Sequence, residues 1–308
     1  MKPLIIFHAS CTDGFGAAYA AWNRFGDDAE YVPMHYGTIT APVNLIGMFG
    51  DTFADRYVFI LDFSFPKEVM EWLFANSKGV TWLDHHKTAF EMWCPDGERE
   101  FFQEYEIALH RNTYITLDNN KSGAMLAWEY FHQDTAPPMV IQHIDDRDRW
   151  QFKMRGSREI HLALQAEQPW TFDQWAALAH PDNYGGLFST GSALLKDQTQ
   201  KVQHSAKKAT TVKLPIAIND LFEGAYVEGL VVNTPTFISE VGHELAVKSG
   251  TFGLVWYYDG ESGRANCSLR SNGDYDVSAI AKLFSGGGHR NASGFNIDMP
   301  TLLEWMKG

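Results

Sequence analysis

Short apolar runs that end in histidine or aspartate constrain this chain more than any other feature. Leu4-Ile-Ile-Phe7 runs into His8, Tyr57-Val-Phe-Ile-Leu61 into Asp62, and Val80-Thr-Trp-Leu83 into Asp84-His85-His86. Short β-rich runs of this kind read as strands, each with its polar residue just past its end. Helical patterns at residues 14–25 and 67–76 fall between them, and residues 30–33 and 113–117 add two further strands. This alternation predicts an α/β fold with a mostly parallel sheet. In such sheets ligands gather beyond the carboxyl ends of the strands, which is where the polar residues stand.

The chain has 308 residues, about twice the usual single-domain size. Residues 138–179 turn helical, with Trp150, Trp170 and Trp175 as expected core anchors. Residues 189–208 are polar, lack proline and carry Leu194, Leu195 and Val202 at helical spacing, which predicts a long connecting helix. A second α/β run follows, with strands at 213–218, 225–232, 252–257 and 264–270 and helices at 239–248, 277–283 and 301–307. The expected organisation is a first domain over 1–188, the connecting helix over 189–210 and a smaller α/β domain over 211–308.

Charge and cysteine content narrow the function. A net charge of −13 argues against a protein that coats long nucleic acid with a basic surface. A small anionic substrate remains compatible, because exposed charges are screened within about 10 Å. Cys11, Cys94 and Cys267 are widely spaced and form no CxxC pair, which fits a reducing compartment. The apolar run near the N-terminus is too short for a signal peptide, and no segment reaches 18 apolar residues. The expected location is cytoplasmic, without membrane contact.

Four clusters carry the chemistry: His8-Ala-Ser-Cys11-Thr-Asp13, Asp62, Asp84-His85-His86, and Asp145-Asp146-Arg147-Asp148. Singly, each has an ordinary explanation, such as a helix cap, a buried histidine or a salt-bridged turn. Together they would place carboxylates and imidazoles at one sheet edge, where they repel unless a cation sits among them. Aspartate and histidine donors without cysteine pairs suit Mn2+ or another borderline ion better than Ca2+ or structural zinc. Several aspartates make a two-metal site plausible, with ions about 3.5–4 Å apart.

In the second half, Arg270 ends a strand and can grip a phosphate bidentately. Gly286-Gly287-Gly288 would let backbone amides approach an anion, and His289 and Arg290 add donors. Ser122 and Gly123 open a helix and present amides either to a phosphate or, as an ordinary cap, to the chain itself. His110 and Arg111 are further candidates for an inward-facing role.

With these motifs in order, the chain resembles the DHH phosphoesterase superfamily, in the branch with a C-terminal DHHA1 domain. Asp84-His85-His86 matches the namesake motif, and Gly286-Gly-Gly-His-Arg-Asn-Ala-Ser-Gly294 resembles the DHHA1 signature. The resemblance implies a DHH catalytic domain joined by a helix to a DHHA1 substrate domain, with the active site in the cleft between them. It implies a phosphoesterase using Mn2+, two ions in all. His8, Asp13, Asp62, Asp84, His85 and Asp146 would be ligands, with Asp148 in reserve for Asp146 and Asp62 as the bridge. His86 would face the scissile phosphate, making His86, Asp62 and Asp84 the catalytic set. Arg270, Ser271, Gly287, Gly288, His289 and Arg290 would bind substrate.

One departure stands out. Cys11 occupies the place of the first motif's first aspartate, with the spacing one residue shorter, which puts one metal position in question. The expected partner is a small nucleotide: a short oligonucleotide or a linear dinucleotide such as pGpG, cut to mononucleotides. Long nucleic acid and membranes are not expected, and a homodimer is the assembly considered. An adenosine 3′,5′-bisphosphate phosphatase and a non-catalytic nucleotide sensor are the alternatives.

Overall fold

The structure, a computed structural model, describes residues 1–93, 112–215, 226–273 and 275–307. Cys94, His110 and Arg111 lie outside the described residues. The chain divides into two units, Met1–Leu195 and Lys196–Gly308.

The first unit runs β1 (Leu4–His8), α1 (Thr12–Phe25), β2 (Glu30–Met34), α2 (Pro42–Phe49), β3 (Tyr57–Leu61), α3 (Lys67–Asn76), β4 (Gly79–Asp84), α4 (Lys87–Trp93), β5 (Thr113–Leu117), α5 (Gly123–Phe131), α6 (Met139–Asp148), α7 (Ser157–Ala166), α8 (Phe172–Ala179) and α9 (Tyr184–Ala206). Its five strands pair in the order β2-β1-β3-β4-β5, all parallel. The apolar strands are buried on both faces, as their lack of alternation requires. Ile5 and Phe7 point to one core, shared with α1, α5, α6, α7 and Trp175 of α8. Leu4 and Ile6 point to the other, shared with α2, α3 and α4. The unit is therefore a helix–sheet–helix sandwich, and the expected α/β class is what the chain adopts.

The strand order reverses at β1: the chain steps outward to β2, then crosses back over β1 to β3. Such a reversal opens a crevice beyond the carboxyl ends of the two central strands. Phe7 pairs with Leu61 and Leu61 with Leu83, so His8, Asp62 and Asp84 emerge in line at that edge.

The polar helix α9 begins at Tyr184 rather than 189 and contains the division between the units. The second unit continues with β6 (Thr210–Pro215), β7 (Tyr226–Asn233), α10 (Ile238–Ser249), β8 (Phe252–Asp259), β9 (Arg264–Ser271), α11 (Val277–Leu283), β10 (Gly287–His289), β11 (Ala292–Ile297) and α12 (Met299–Trp305). Its sheet has the order β10-β11-β9-β8-β7-β6, with β7 and β8 parallel and the other pairs antiparallel. The expected strand over 213–218 ends at Pro215, and residues 216–218 lie outside the described set. Trp150 is not a core anchor: it stands at φ 55° after α6, half-buried against Arg147 and Phe152. Among the described residues no helix is long and apolar enough to cross a membrane.

Candidate metal centre

At the carboxyl edge of the first sheet, six side chains from three other stretches of sequence converge on Asp62. Its carboxylate is 1% exposed and faces two ways. Oδ2 lies 3.6 Å from His8 Nδ1, while Oδ1 lies 3.1 Å from His85 Nε2 and 3.8 Å from His86 Nδ1. Around the same His85 nitrogen stand Asp13 Oδ2 at 3.5 Å and Asp148 Oδ2 at 3.6 Å. Three sets of donors have atoms within 4.8 Å of one another: His8, Cys11 and Asp62; Asp62, His85 and His86; Asp13, His85 and Asp148.

Local structure fixes each group. Asp62 sits at φ 53°, a conformation costly for a residue with a Cβ, and its N–H donates to Leu83 O at 2.9 Å. Asp13, in the first turn of α1, accepts from the N–H groups of Gly123 and Ala124, each at 2.8 Å. These are the amides that open α5, and the carboxylate complements their dipole end. Gly123 has to be glycine here, because an added Cβ would lie 2.3 Å from Asp62 Cβ. Ser122 caps α5 through Oγ to Met125 N–H, and its own N–H donates to Asp145 Oδ1. The ordinary cap is therefore the reading that holds for this segment, and carboxylates of the chain already engage its amides.

Asp84 holds the histidine pair in place. Its Oδ1 accepts from the N–H groups of His85 and His86 and from His86 Nδ1, the last at 2.7 Å. His86 is thereby oriented with its Nε2 directed away from Asp84.

From α6, Asp148 rather than Asp146 stands with His85. Asp146 instead accepts from the N–H groups of Lys153 and Met154 and from the Ser157 hydroxyl, so it fastens the 149–157 turn. Asp145 is held bidentately by Arg149. Helical geometry turns 145 and 146 toward their own supports and leaves Asp148, two residues beyond the expected Asp146, beside His85.

Charge crowding shows in the titration of the cluster. Burial alone would raise the Asp62 carboxyl, but the His8, His85 and His86 rings outweigh it and hold it well below the ordinary carboxylate range. Burial works against a charged His85, yet Asp62, Asp148 and Asp13 raise it well above the usual imidazole value. His86 is raised as well, by Asp84 against the effect of burial. Asp13 goes up, through burial and the Asp62 and Asp148 carboxylates.

The donors suit divalent cations. Imidazole and carboxylate groups converge with one thiol nearby, and two buried atoms, His8 Nδ1 and Asp84 Oδ2, have no hydrogen-bond partner. Orphaned buried polar atoms are rare in a folded protein. Asp148 ends α6, where the helix dipole disfavours a carboxylate unless a positive charge adjoins it.

One neighbour was not legible in the sequence. Tyr36, in the loop after β2, packs 5.2 Å from His8, 4.7 Å from Phe63 and 6.1 Å from His86 between ring centres. The ring is about half exposed, but desolvation of its hydroxyl, with the Asp84 and Asp62 carboxylates, raises the phenol and keeps it protonated. Its position after a strand at the same sheet edge is the signal that would have found it.

In the second unit, Arg270 donates to Leu269 O at 2.8 Å and to Ser239 Oγ at 2.9 Å, against Gly242. Ser271 is buried, donating its hydroxyl to Tyr275 O and accepting from Asn291 Nδ2, so it secures a turn. The glycine run forms a hairpin: Gly287 pairs with Gly294, Gly288 with Ser293 and His289 with Ala292. A Cβ at Gly286 would meet Gly294 O at 2.1 Å, and one at Gly288, where φ is 134°, would meet Ala292 O at 2.5 Å. Close backbone approach within the hairpin thus demands these glycines. His289 and Arg290 sit at its tip.

No protein-family profile matches the chain. It is 30% identical over 302 residues to uncharacterized protein R106 of Acanthamoeba polyphaga mimivirus, a match that takes in 94% of this chain and 66% of the relative's length. The chain thus spans a little under two thirds of that relative. Among solved structures, a pGpG-specific phosphodiesterase from Vibrio cholerae aligns with a TM-score of 0.48 and 11% identity, covering 99% of this chain and 97% of that one. An exopolyphosphatase-related protein from Bacteroides fragilis aligns at 0.46 and 14%, covering 99% and 91%. An uncharacterized protein from Helicobacter pylori G27 aligns at 0.35 and 16%, covering 97% and 94%. Likenesses this distant carry no argument about the chemistry, which has to come from the residues themselves.

Proposed function

We propose that this chain is a divalent-metal-dependent phosphoesterase of the DHH type that hydrolyses short oligonucleotides or linear dinucleotides to mononucleotides, with Mn2+ as the working ion. The observation that carries the reading is the Asp62 carboxylate, whose two oxygens face separate imidazole groups, His8 on one side and His85 on the other. A carboxylate so placed is suited to bridge two cations. His8, Cys11 and Asp62 would hold one, and Asp13, Asp62, His85 and Asp148 the other.

Ions bound there would supply Lewis acidity to an attacking water and to the leaving oxygen of a phosphate ester. The chain's own groups do the rest. His86, oriented by Asp84 and biased toward its protonated form, can hold a proton toward the scissile phosphate. Tyr36, kept as a phenol, can donate to a non-bridging oxygen. Arg270, His289 and Arg290 are proposed to supply cations for a second phosphate. The charge of −13 supports a short substrate, because a long strand would meet an acidic surface with few phosphate contacts.

The test is a panel of nucleotides incubated with Mn2+ and resolved by chromatography. A dinucleotide should yield mononucleotides, whereas free phosphate from adenosine 3′,5′-bisphosphate alone would replace this reading with a phosphomonoesterase. Asp62→Ala should abolish turnover by removing the bridge. Near-native rates in that variant, or faster cleavage of long single strands than of dinucleotides, would refute the scheme.

A further inference from the structure

We propose that the two cation positions are chemically unlike: the one bounded by His8, Cys11 and Asp62 takes a thiophilic divalent ion of the Zn2+ or Cd2+ class, while the one bounded by Asp13, His85, Asp148 and Asp62 takes an oxygen-seeking ion of the Mn2+ class. This rests on the cation-binding reading above and adds to it which ion goes where.

The donor atoms separate the two positions. Around His85 the partners are carboxylate oxygens from Asp13, Asp62 and Asp148, with no sulfur in the group. Around His8 the group contains Cys11 Sγ, with the donor atoms of all three residues within 4.8 Å of one another. Sulfur binds zinc at about 2.3 Å and imidazole nitrogen at about 2.0–2.1 Å, so these donors close on one ion with side-chain shifts of about an ångström. Thiolate donors select soft and borderline ions, while carboxylate sets suit Mn2+ and Mg2+.

Two further observations point the thiol and its neighbour at a ligand. Cys11 is the N-cap of α1, with extended φ −124° and ψ 137°, and its side chain makes no cap hydrogen bond. Serine, threonine, aspartate or asparagine would stabilise the helix better at that position, because sulfur accepts only weakly from the Gly14 N–H. Beside it, His8 Nδ1 is buried without a hydrogen-bond partner. Carboxylates crowd this thiol, with Asp62 in the same donor group and Asp13 two residues along the chain. A cation at this position offsets those same carboxylates, and a coordinating thiol loses its proton to solvent as the metal–sulfur bond forms. The thiolate also carries the same charge as an aspartate, so the exchange alters softness and leaves the charge of the site unchanged.

The experiment uses the full chain stripped of metal by chelation. Cd2+ is titrated while the ultraviolet sulfur-to-cadmium charge-transfer band is read, and Mn2+ binding is followed by electron paramagnetic resonance. The band is expected to saturate at one equivalent of Cd2+, leaving one Mn2+ still able to bind. Cys11→Asp should remove the band and weaken Cd2+ relative to Mn2+ by at least about 10–100-fold, the range that even an outer partner of a ligand commands. Cys11→Ser, nearly isosteric, should remove it too, with circular dichroism confirming the fold, and Cys94→Ser should keep it. Cd2+ bound without a sulfur band, or an unchanged ion preference in Cys11→Asp, overturns the proposal and leaves the cation cage standing. Failure of both ions to bind overturns the cage itself.

Discussion

Replacing Gly123 with alanine sets two effects of opposite sign against each other, and the geometry says which is larger. Alanine is favoured over glycine in a helix by up to about 1 kcal/mol, and less than that at the first position of α5. The added methyl would lie 2.3 Å from Asp62 Cβ and 2.7 Å from its Cγ. A relaxed carbon contact needs about 3.5 Å, so something must move by about 1.2 Å. Neither side yields easily. Asp62 is tied to β4 by its N–H and flanked by His8 and His85. The start of α5 is tied to Asp13 through two 2.8 Å hydrogen bonds. Overpacking of this kind costs about 1–3 kcal/mol, leaving a net destabilisation of about 1–2 kcal/mol. For a unit of this size that lowers the melting temperature by roughly 2–8 °C. Turnover should suffer more, because a misplacement of about 1 Å at a catalytic group costs on the order of a hundredfold. Thermal melts, Mn2+ titration and turnover measured on the same preparation would decide. A variant that melts at or above the parent temperature and binds Mn2+ as tightly would refute the reasoning.

Three other perturbations test separate parts of the structure. Asp148→Ala should lose Mn2+ at the His85 position with little change in stability, while Asp146→Ala should keep the metal and lose about 1–3 kcal/mol as the groups it satisfies go unpaired; metal content and denaturant melts separate the two. In chelated protein, raised His85 and Asp13 contribute stability that is present below their unfolded values, about 6.5 and 3.9, and is lost as pH rises through their folded values. Depressed Asp62 contributes above about 3.9 and loses that only in strong acid. The melting temperature without metal should therefore fall as pH rises from neutrality, and Mn2+ should reverse the fall; an EDTA-treated sample with a flat profile would contradict this. Gly286→Ala should open the β10–β11 hairpin, because its Cβ meets Gly294 O at 2.1 Å, and hydrogen exchange should show lost protection at Gly294 and its neighbours.

The parallel sheet was legible because its strands are buried on both faces, and such strands appear in sequence as unbroken apolar runs. The ends of those runs put His8, Asp62 and the Asp84–His86 segment at one sheet edge on residue pattern alone. The hairpin at Gly287–His289 was not legible, because glycine runs carry no burial pattern and serve a close backbone approach as readily as a phosphate loop. Helix α2 carries little signal for a related reason. Val43, Ile46 and Met48 are exposed, so its apolar residues mark no single buried stripe. The choice between Asp146 and Asp148 depended on what the 149–157 turn needs, and a turn's unpaired N–H groups cannot be read from residue types alone.

Four local preferences are set aside at one edge of the first sheet. Asp62 occupies a left-handed backbone conformation, Asp148 places a carboxylate at the negative end of α6, His8 Nδ1 is buried without a partner, and Cys11 stands where a capping oxygen would serve better. A sequence that folds well is consistent at every level, and departures from that consistency gather at functional sites. Among the described residues, Asp62 and Asp148 are balanced only by imidazoles whose charged form burial disfavours, and His8 Nδ1 has no hydrogen-bond partner. A divalent ion on each side of Asp62 answers those needs together, and the thiol of Cys11 is the one donor that would make the two sides differ.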